Sequence, residues 1–381
     1  MSRHFFIVPH DVLYLRGNKM FGAAGSYGEC MIPPWPSLAA GALRSALLVQ
    51  DGIDLGRFAA GEASHPTVGK RDQPGTFALR DFQLARKVNQ QIETLHPLPA
   101  DLHVSKVSSN DQEVKDFVVR KLTPTSIAPG VETSAKLSKL AVLATDTQAK
   151  PVNGLWLTQA GFADYLAGQV PSPDTLVKPS QLWEIDQRVG VALSASTGSA
   201  EKGALFTSEA VALHRDVGFL AVADGTAAMP EQGLLRLGGD GRSASYQVIE
   251  HQPTSPSTTT LIENRRCRLI LTTPGIFAQG WLPPGVSCEG NSYHFDLQGV
   301  SGDLVCAALA RASVVSGWDL ARKQPKAAER VAPAGSVYWL ENLMGDVNAL
   351  CKLANHGLRA ATAYDAQRQI EGFNRFVFAT Y

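Results

Sequence analysis

The chain has no excess of charge of either sign. Its 381 residues carry 35 Lys and Arg against 35 Asp and Glu, so the formal net charge is zero. A dedicated nucleic-acid binder is usually basic. Any polyanion bound here must therefore meet basic residues gathered on one face. Cysteine is also scarce. Cys30, Cys267, Cys288, Cys306 and Cys351 are scattered, odd in number, and never in CxxC spacing. That excludes an obvious zinc site or disulfide framework and fits buried, inert thiols in a reducing cytoplasm. No run of about 18 apolar residues occurs, so no membrane-spanning helix is expected. The apolar run near the start, Phe5 to Val8, is too short for a signal-peptide core. Neither GxGxxG nor GxxxxGK[ST] occurs, which leaves dinucleotide and Walker folds unsupported. No cofactor is implied.

Glycine and proline, by contrast, are plentiful, at 34 and 22 residues. Many turns favour a β-rich or α+β architecture over a helical bundle. The length favours two domains, because single cores stop growing at about 250–300 residues. Phe5 to Val8, bounded by Pro9, reads as a buried strand, which Val12 to Leu15 continues or pairs with. Phe21 to Tyr27 reads as loop. Pro33-Pro34-Trp35-Pro36 holds the chain extended, and Ser37 is expected to N-cap a helix that turns Leu43 and Leu47 to a core. Gly41 within that helix suggests close backbone approach. Residues from about 50 to 180 read as a large insertion into the first domain, with strands near Phe117–Leu122 and Lys139–Leu143.

Arg188 to Leu193 and Ala204 to Thr207 are expected to form a hairpin with a long polar tip. Val217 to Ala223 and Tyr246 to Ile249 read as strands. The Pro, Ser and Thr-rich segment from Gln252 to Thr260 suits a loop between domains, with Cys267 to Leu271 opening the second. Arg265, Arg266 and Arg268 read as a solvated basic run. Asp303 to Val315 stays open between helix and strand, and Glu341 to Ala366 reads as mostly helical.

Several blocks occur in a telling order. They are Asp11 with Arg16, then Pro33 to Ser37 through Gly41-Ala42-Leu43-Arg44, then Pro97 to Leu102. Arg188 to Val191 follows with Glu201 and Gly203, then Leu235 to Arg242, Thr272 to Phe277, Val315 to Asp319, Pro333 to Tyr338, and Gly372-Phe373. In this order they resemble the RAMP superfamily of CRISPR proteins, and more narrowly the third subunit of the type III-B (Cmr) effector. Asn374 departs from the Gly-Phe-Gly ending expected there. The resemblance implies an α+β protein of two ferredoxin-like (RRM-like) domains. These would be residues 1–252, with the insertion, and 263–381. It also implies a non-catalytic subunit that contacts the 5′ handle of the guide RNA, docks the large polymerase-like subunit and meets the backbone RAMP subunits.

The leading site candidate is Gly238-Gly239-Asp240-Gly241, flanked by Arg236 and Arg242. Glycines let a phosphate approach backbone N–H groups, and the arginines supply charge. Taken alone, the run is equally a tight turn with solvated arginines. Ser37, Arg44 and Arg188 are further RNA-contact candidates. Thr197, Gly198, Glu201 and Lys202, on the hairpin tip, are candidates for meeting a partner subunit or the RNA. His4 and His10 lie near the first strand. RNA-cleaving members of the superfamily use a histidine as general base, but no companion acid or base stands beside either one in sequence. A guide-RNA-processing nuclease and a purely structural docking subunit remain as alternatives.

Overall fold

The structure is a computed structural model that describes residues 2–15, 27–106, 117–146, 149–252, 258–290, 292–319, 322, 324–360 and 366–381. It is an α+β protein built on two antiparallel sheets. The first has eight strands, in the order Leu176–Val177, Trp156–Thr158, Gln91–Pro97, Ala78–Val88, Val217–Asp224, Arg3–Pro9, Ser243–Ile249 and Gln232–Arg236. The second has six, in the order Val286–Glu289, Ser292–Leu297, Val300–Ala308, Val337–Met344, Arg266–Leu271 and Phe376–Ala379. No helix among the described residues is long and apolar enough to cross a membrane.

Strand periodicity accounts for the first core. On Arg3–Pro9, Phe5 and Ile7 point to one face and pack against Leu43 and Leu47 of helix Pro36–Gln50. The four are fully buried. The helix begins two residues earlier than expected. Trp35 is its N-cap residue and makes no side-chain cap bond, so Ser37 sits inside the first turn. Pro36 suits that first turn because its missing N–H would have no helical partner there. Gly41 faces open space, and nothing in the structure explains it.

Residues 50–180 are not set apart as an insertion. They supply four strands of the first sheet, including Ala78–Val88, which pairs directly with Val217–Asp224. Phe117–Lys121 and Lys139–Val142 do form strands, in two small ribbons. Val300–Ala308 resolves to strand, followed by the short strand Ser313–Val315. The expected helix after Glu341 is shorter among the described residues. Strand Val337–Met344 runs past Glu341, and helix Val347–His356 follows, N-capped by Asp346. Among the calls on the proposed interdomain loop, residues 253–257 lie outside the described residues, and helix Thr258–Asn264 follows them.

The second sheet is buried on both faces. Cys267, Leu269 and Leu271 turn to one side, against Leu350 and Leu353 of helix Val347–His356. Ile270 turns to the other, with Val337 and Trp339, and meets Leu157, Phe162 and Leu166. Those last two lie on helix Gln159–Leu166, which follows directly on a strand of the first sheet. That short helix joins the two halves of the molecule.

Arg268 shares this second face and is fully buried, not solvated. Its Nη1 donates to Asp101 Oδ2 at 2.8 Å, its Nη2 to the Tyr165 carbonyl at 2.8 Å and its Nε to the Thr380 carbonyl at 3.0 Å. The Tyr165 hydroxyl donates to the other Asp101 oxygen at 2.6 Å. The guanidinium also stacks over the Tyr165 ring at 4.3 Å. Burial beside this cation pulls the Lys121 ammonium down to about 8.

Two predictions follow from this packing. Asp101→Ala leaves a buried cation unpaired and should cost about 3–5 kcal/mol in urea unfolding, whereas Asp101→Leu with Arg268→Met should restore most of that loss. His96 is buried against Phe162, with ring centroids 3.9 Å apart, and burial lowers its pKa to about 3. Below about pH 6.5 the unfolded chain takes up a proton that the folded chain refuses. Stability should therefore fall by up to about 1.4 kcal/mol per pH unit on acidification, until the folded group also titrates. Unfolding measured between pH 7 and 4 should show a shallower slope in His96→Gln.

Candidate nucleic-acid interface

The glycine run connects the last two strands at one edge of the first sheet, Gln232–Arg236 and Ser243–Ile249. Leu237 N donates to the Arg242 carbonyl at 2.8 Å, closing the turn over the buried Leu237 side chain. Gly238, Asp240 and Gly241 all take left-handed backbone angles, with φ of 84°, 57° and 63°. Glycine adopts these freely and aspartate tolerates them. The run is therefore a real turn. One of its N–H groups is already engaged, because Gly239 N donates to the Tyr14 carbonyl at 3.1 Å.

Tyr14 organises the surrounding charges. Leu13 exchanges backbone hydrogen bonds with Val211, and both Leu13 and Leu15 are buried. Tyr14, between them, turns the opposite way. Arg242 lies over its ring at 5.3 Å and Arg188 at 5.8 Å, within cation–π range. Arg188 Nη1 also donates to the Tyr14 hydroxyl at 3.1 Å. Each arginine has a carboxylate partner. Arg188 pairs with Asp186 at 2.8 Å, and Arg242 pairs with Asp11. Hydrogen bonds donated to Asp186 and Tyr14 raise the Arg188 pKa, so its charge is secure. Arg236 is exposed and has no ion-pair partner among the described residues.

Three separately expected arginines thus stand together or side by side. Arg188 is in the middle of strand Trp183–Leu193, not at its start. Arg44 and Ser37 are not drawn into this group. Arg44 sits beyond the second turn of its helix, half-buried, with its Nε lacking a hydrogen-bond partner among the described residues. Burial lowers its pKa, and the nearby Glu371 charge opposes that shift. Arg16, part of the same sequence block as Asp11, lies outside the described residues. Tyr14 and Asp186 were not anticipated. The available signal was the alternation of Leu13, Tyr14 and Leu15 beside Asp11.

The expected hairpin is present as Trp183–Leu193 paired with Ala200–Leu213. Its turn is shorter than expected. Thr197 and Gly198 lie in it, with Gly198 N donating to the Ser194 carbonyl at 2.8 Å. Glu201 and Lys202 belong to the second strand. The ribbon leaves Val189, Leu193 and Leu205 at 69%, 61% and 58% exposure. Apolar side chains exposed to that extent on neighbouring positions suit a protein contact.

The remaining candidates divide. His10 is exposed, with Ser243 Oγ 3.4 Å from its Nδ1. His4 packs edge-on to His251, with ring centroids 5.9 Å apart, and burial lowers the pKa of both. Only Cys267 and Cys306 are fully buried. Cys288 and Cys351 are exposed, so the inert-thiol reading fails for those two. Asn374 fills the place of the expected glycine with φ of 63°. Its side-chain oxygen accepts from Ile276 N at 2.6 Å, and its amide donates back to the Ile276 carbonyl at 3.2 Å. The asparagine supplies the left-handed conformation and a clamp together.

A family model places the chain among the CRISPR-associated proteins. The model of one such family, CRISPR-associated protein (Cas_Cmr3), matches residues 5–377, and the chain belongs to that family. The resemblance read from its ordered blocks is thereby borne out. Two solved structures share its fold at 12% identity and a TM-score of 0.52. Each match covers 98% of this chain and 96% of the other. One is a chain in the cryo-EM structure of the type III-B Cmr-beta bound to cognate target RNA and AMPPnP, and the other a chain in Cmr-beta bound to cognate target RNA. Among curated proteins none matches.

The turn geometry yields a stability prediction. Gly238→Ala places a Cβ at a left-handed φ and 3.3 Å from the Tyr14 carbonyl. It should lower thermal unfolding stability by about 1–2 kcal/mol. Gly241→Asn, facing open space at a φ that asparagine tolerates, should be nearly silent.

Proposed function

We propose that this chain is a non-catalytic RNA-binding and assembly subunit of a type III-B CRISPR effector complex, working in the cytoplasm. In this reading it holds the 5′ handle of the guide RNA and docks the large polymerase-like subunit and backbone RAMP subunits. The observation that carries it is the Tyr14 cluster. There Arg188 and Arg242 lie over one aromatic ring, beside a glycine turn and the exposed Arg236. Guanidinium groups pre-set by aromatic stacking suit bidentate phosphate contact. The membership of the family and the Cmr-beta fold neighbours agree with this reading. The apolar hairpin ribbon is assigned to a protein partner.

Both sheets support two ferredoxin-like domains. In the first, Ser243–Ile249, Arg3–Pro9, Val217–Asp224 and Ala78–Val88 lie side by side. In the second, Phe376–Ala379, Arg266–Leu271, Val337–Met344 and Val300–Ala308 do the same. In each, the last strand flanks the first, followed by the third and then the second, as in the β-α-β-β-α-β arrangement. We take 1–252 and 263–381 as the two units.

The test is binding of handle-bearing RNA across a salt series, with and without the large subunit. The wild type should bind with steep salt dependence. Arg236→Glu and Arg242→Glu should each weaken binding and flatten the log–log salt slope by about 0.7 for every lost phosphate contact on a single strand. Absent or salt-insensitive binding, even with the partner present, overturns the reading. Cleavage of repeat RNA by the wild type but not by His10→Ala would favour a nuclease instead.

A further inference from the structure

Sheet edges expose unpaired backbone groups, and proteins usually blunt them. Three of the four edges here are blunted. Leu176–Val177 is two residues long, with Pro173 and Pro179 close on either side. Val286–Glu289 is short and ends on a charge. Phe376–Ala379 is almost wholly buried. The fourth, Gln232–Arg236, carries no proline, lysine, acid or bulge, and no strand lies outside it among the described residues.

The register shows which of its backbone groups are free. Leu237 N donates to the Arg242 carbonyl, and Val248 N donates to the Glu231 carbonyl. Residues 231, 233, 235 and 237 therefore face the neighbouring strand. The N–H and C=O of Gln232, Leu234 and Arg236 point outward. The side chains alternate in the same way. Leu235 and Leu237 are buried, whereas Leu234 is 69% exposed at the centre of the strand. Leu234 also lines the open groove over the outer sheet face, beside Phe6, Val8 and Ile249.

This edge complements itself. In an antiparallel pair centred on Leu234, residue 234 meets its own copy, and Gln232 meets Arg236. All the outward groups then oppose one another in hydrogen-bonded register, giving about six new bonds. No like charges meet, because Arg236 is the strand's one charge and a glutamine amide opposes it. The adjoining Glu231 is already paired with Arg3. We propose that the free chain pairs with a second copy of itself along Gln232–Arg236, joining two first sheets across a two-fold axis. Because Arg236 lies on the same strand, RNA and a second copy would compete for this edge. That consequence rests on the RNA-binding reading above, whereas the pairing does not.

The experiment is analytical ultracentrifugation of the full chain from about 1 to 100 µM, with disulfide trapping alongside. The wild type should dimerise as concentration rises. Leu234→Lys and Leu234→Pro should each raise the dimer dissociation constant about ten-fold or more. Both should melt near the wild type, because Leu234 is exposed and its N–H points away from the sheet. For trapping, Cys288→Ser and Cys351→Ser first remove the exposed thiols. In that background Leu234→Cys should form a disulfide-linked dimer under oxidised glutathione, since facing residues of such a pair lie about 5.5 Å apart between Cα atoms. Gln232→Cys should not, because its own copy lies about 13 Å further along the strand. A chain that stays monomeric throughout, with no trapping at position 234, overturns the proposal, even where the edge takes up another subunit in an assembled complex. So does a dimer that survives both Leu234 variants. Handle-bearing RNA should dissociate the dimer, and RNA bound to an intact dimer overturns the competition. No RNA binding beside a Leu234-dependent dimer counts against the RNA-binding reading alone.

Discussion

One buried guanidinium governs how the two halves of this protein meet. Arg268 stands on a strand whose following residues, Leu269 to Leu271, are apolar on both faces, and each of its three side-chain nitrogens donates to a group from elsewhere in the chain. Asp101 and Tyr165 come from the first half, and Thr380 from the C-terminal end. An ion pair this deep adds little net stability over a well-packed apolar equivalent, but breaking it is expensive. Its value lies in permitting one arrangement. A slipped second sheet would leave Arg268 or Asp101 charged and unpaired. Polar contacts of the same kind recur along the junction, where Gln83 Nε2 donates to the Thr272 carbonyl and Arg375 caps the end of helix Val347–His356.

With the two sheets held in this way, the free edge of the first sheet carries the charged surface. The glycine turn sits on that edge, where no further strand covers it among the described residues. The long hairpin is tied to the same place through Leu13 and Val211, which brings Arg188 to Tyr14. The neutral composition is reconciled locally. Asp11 and Asp186 hold the arginines of the cluster in position, and RNA phosphates would compete with those carboxylates. Arg236, exposed and unpaired among the described residues, is the charge that needs no such exchange.

Much of this was legible in the sequence where a local rule decided the outcome. The first strand, the core face of the helix at Leu43 and Leu47, the hairpin and the glycine turn all follow from periodicity and turn chemistry. The ordered blocks carried the family. What failed depended on contacts distant in sequence. Arg268 looked solvated because its partners lie 167 and 103 residues away. Residues 50–180 looked irregular because their strands are short or set in long loops, and pairing with Val217–Asp224 is what fixes them. Asn374 looked like a departure because its αL angle and its clamp on Ile276 are visible only in three dimensions. The Tyr14 cluster was half seen: its arginines were named, but the ring that gathers them was not.

The central claim is that the edge turn and its tyrosine-held arginines face guide RNA. Photocrosslinking of an assembled, guide-loaded complex, mapped to peptides, tests it most directly. The account predicts crosslinks in the handle segment to peptides carrying residues 236–242 and 186–188. Crosslinks that leave both peptides untouched, while others of this chain are labelled, would contradict it.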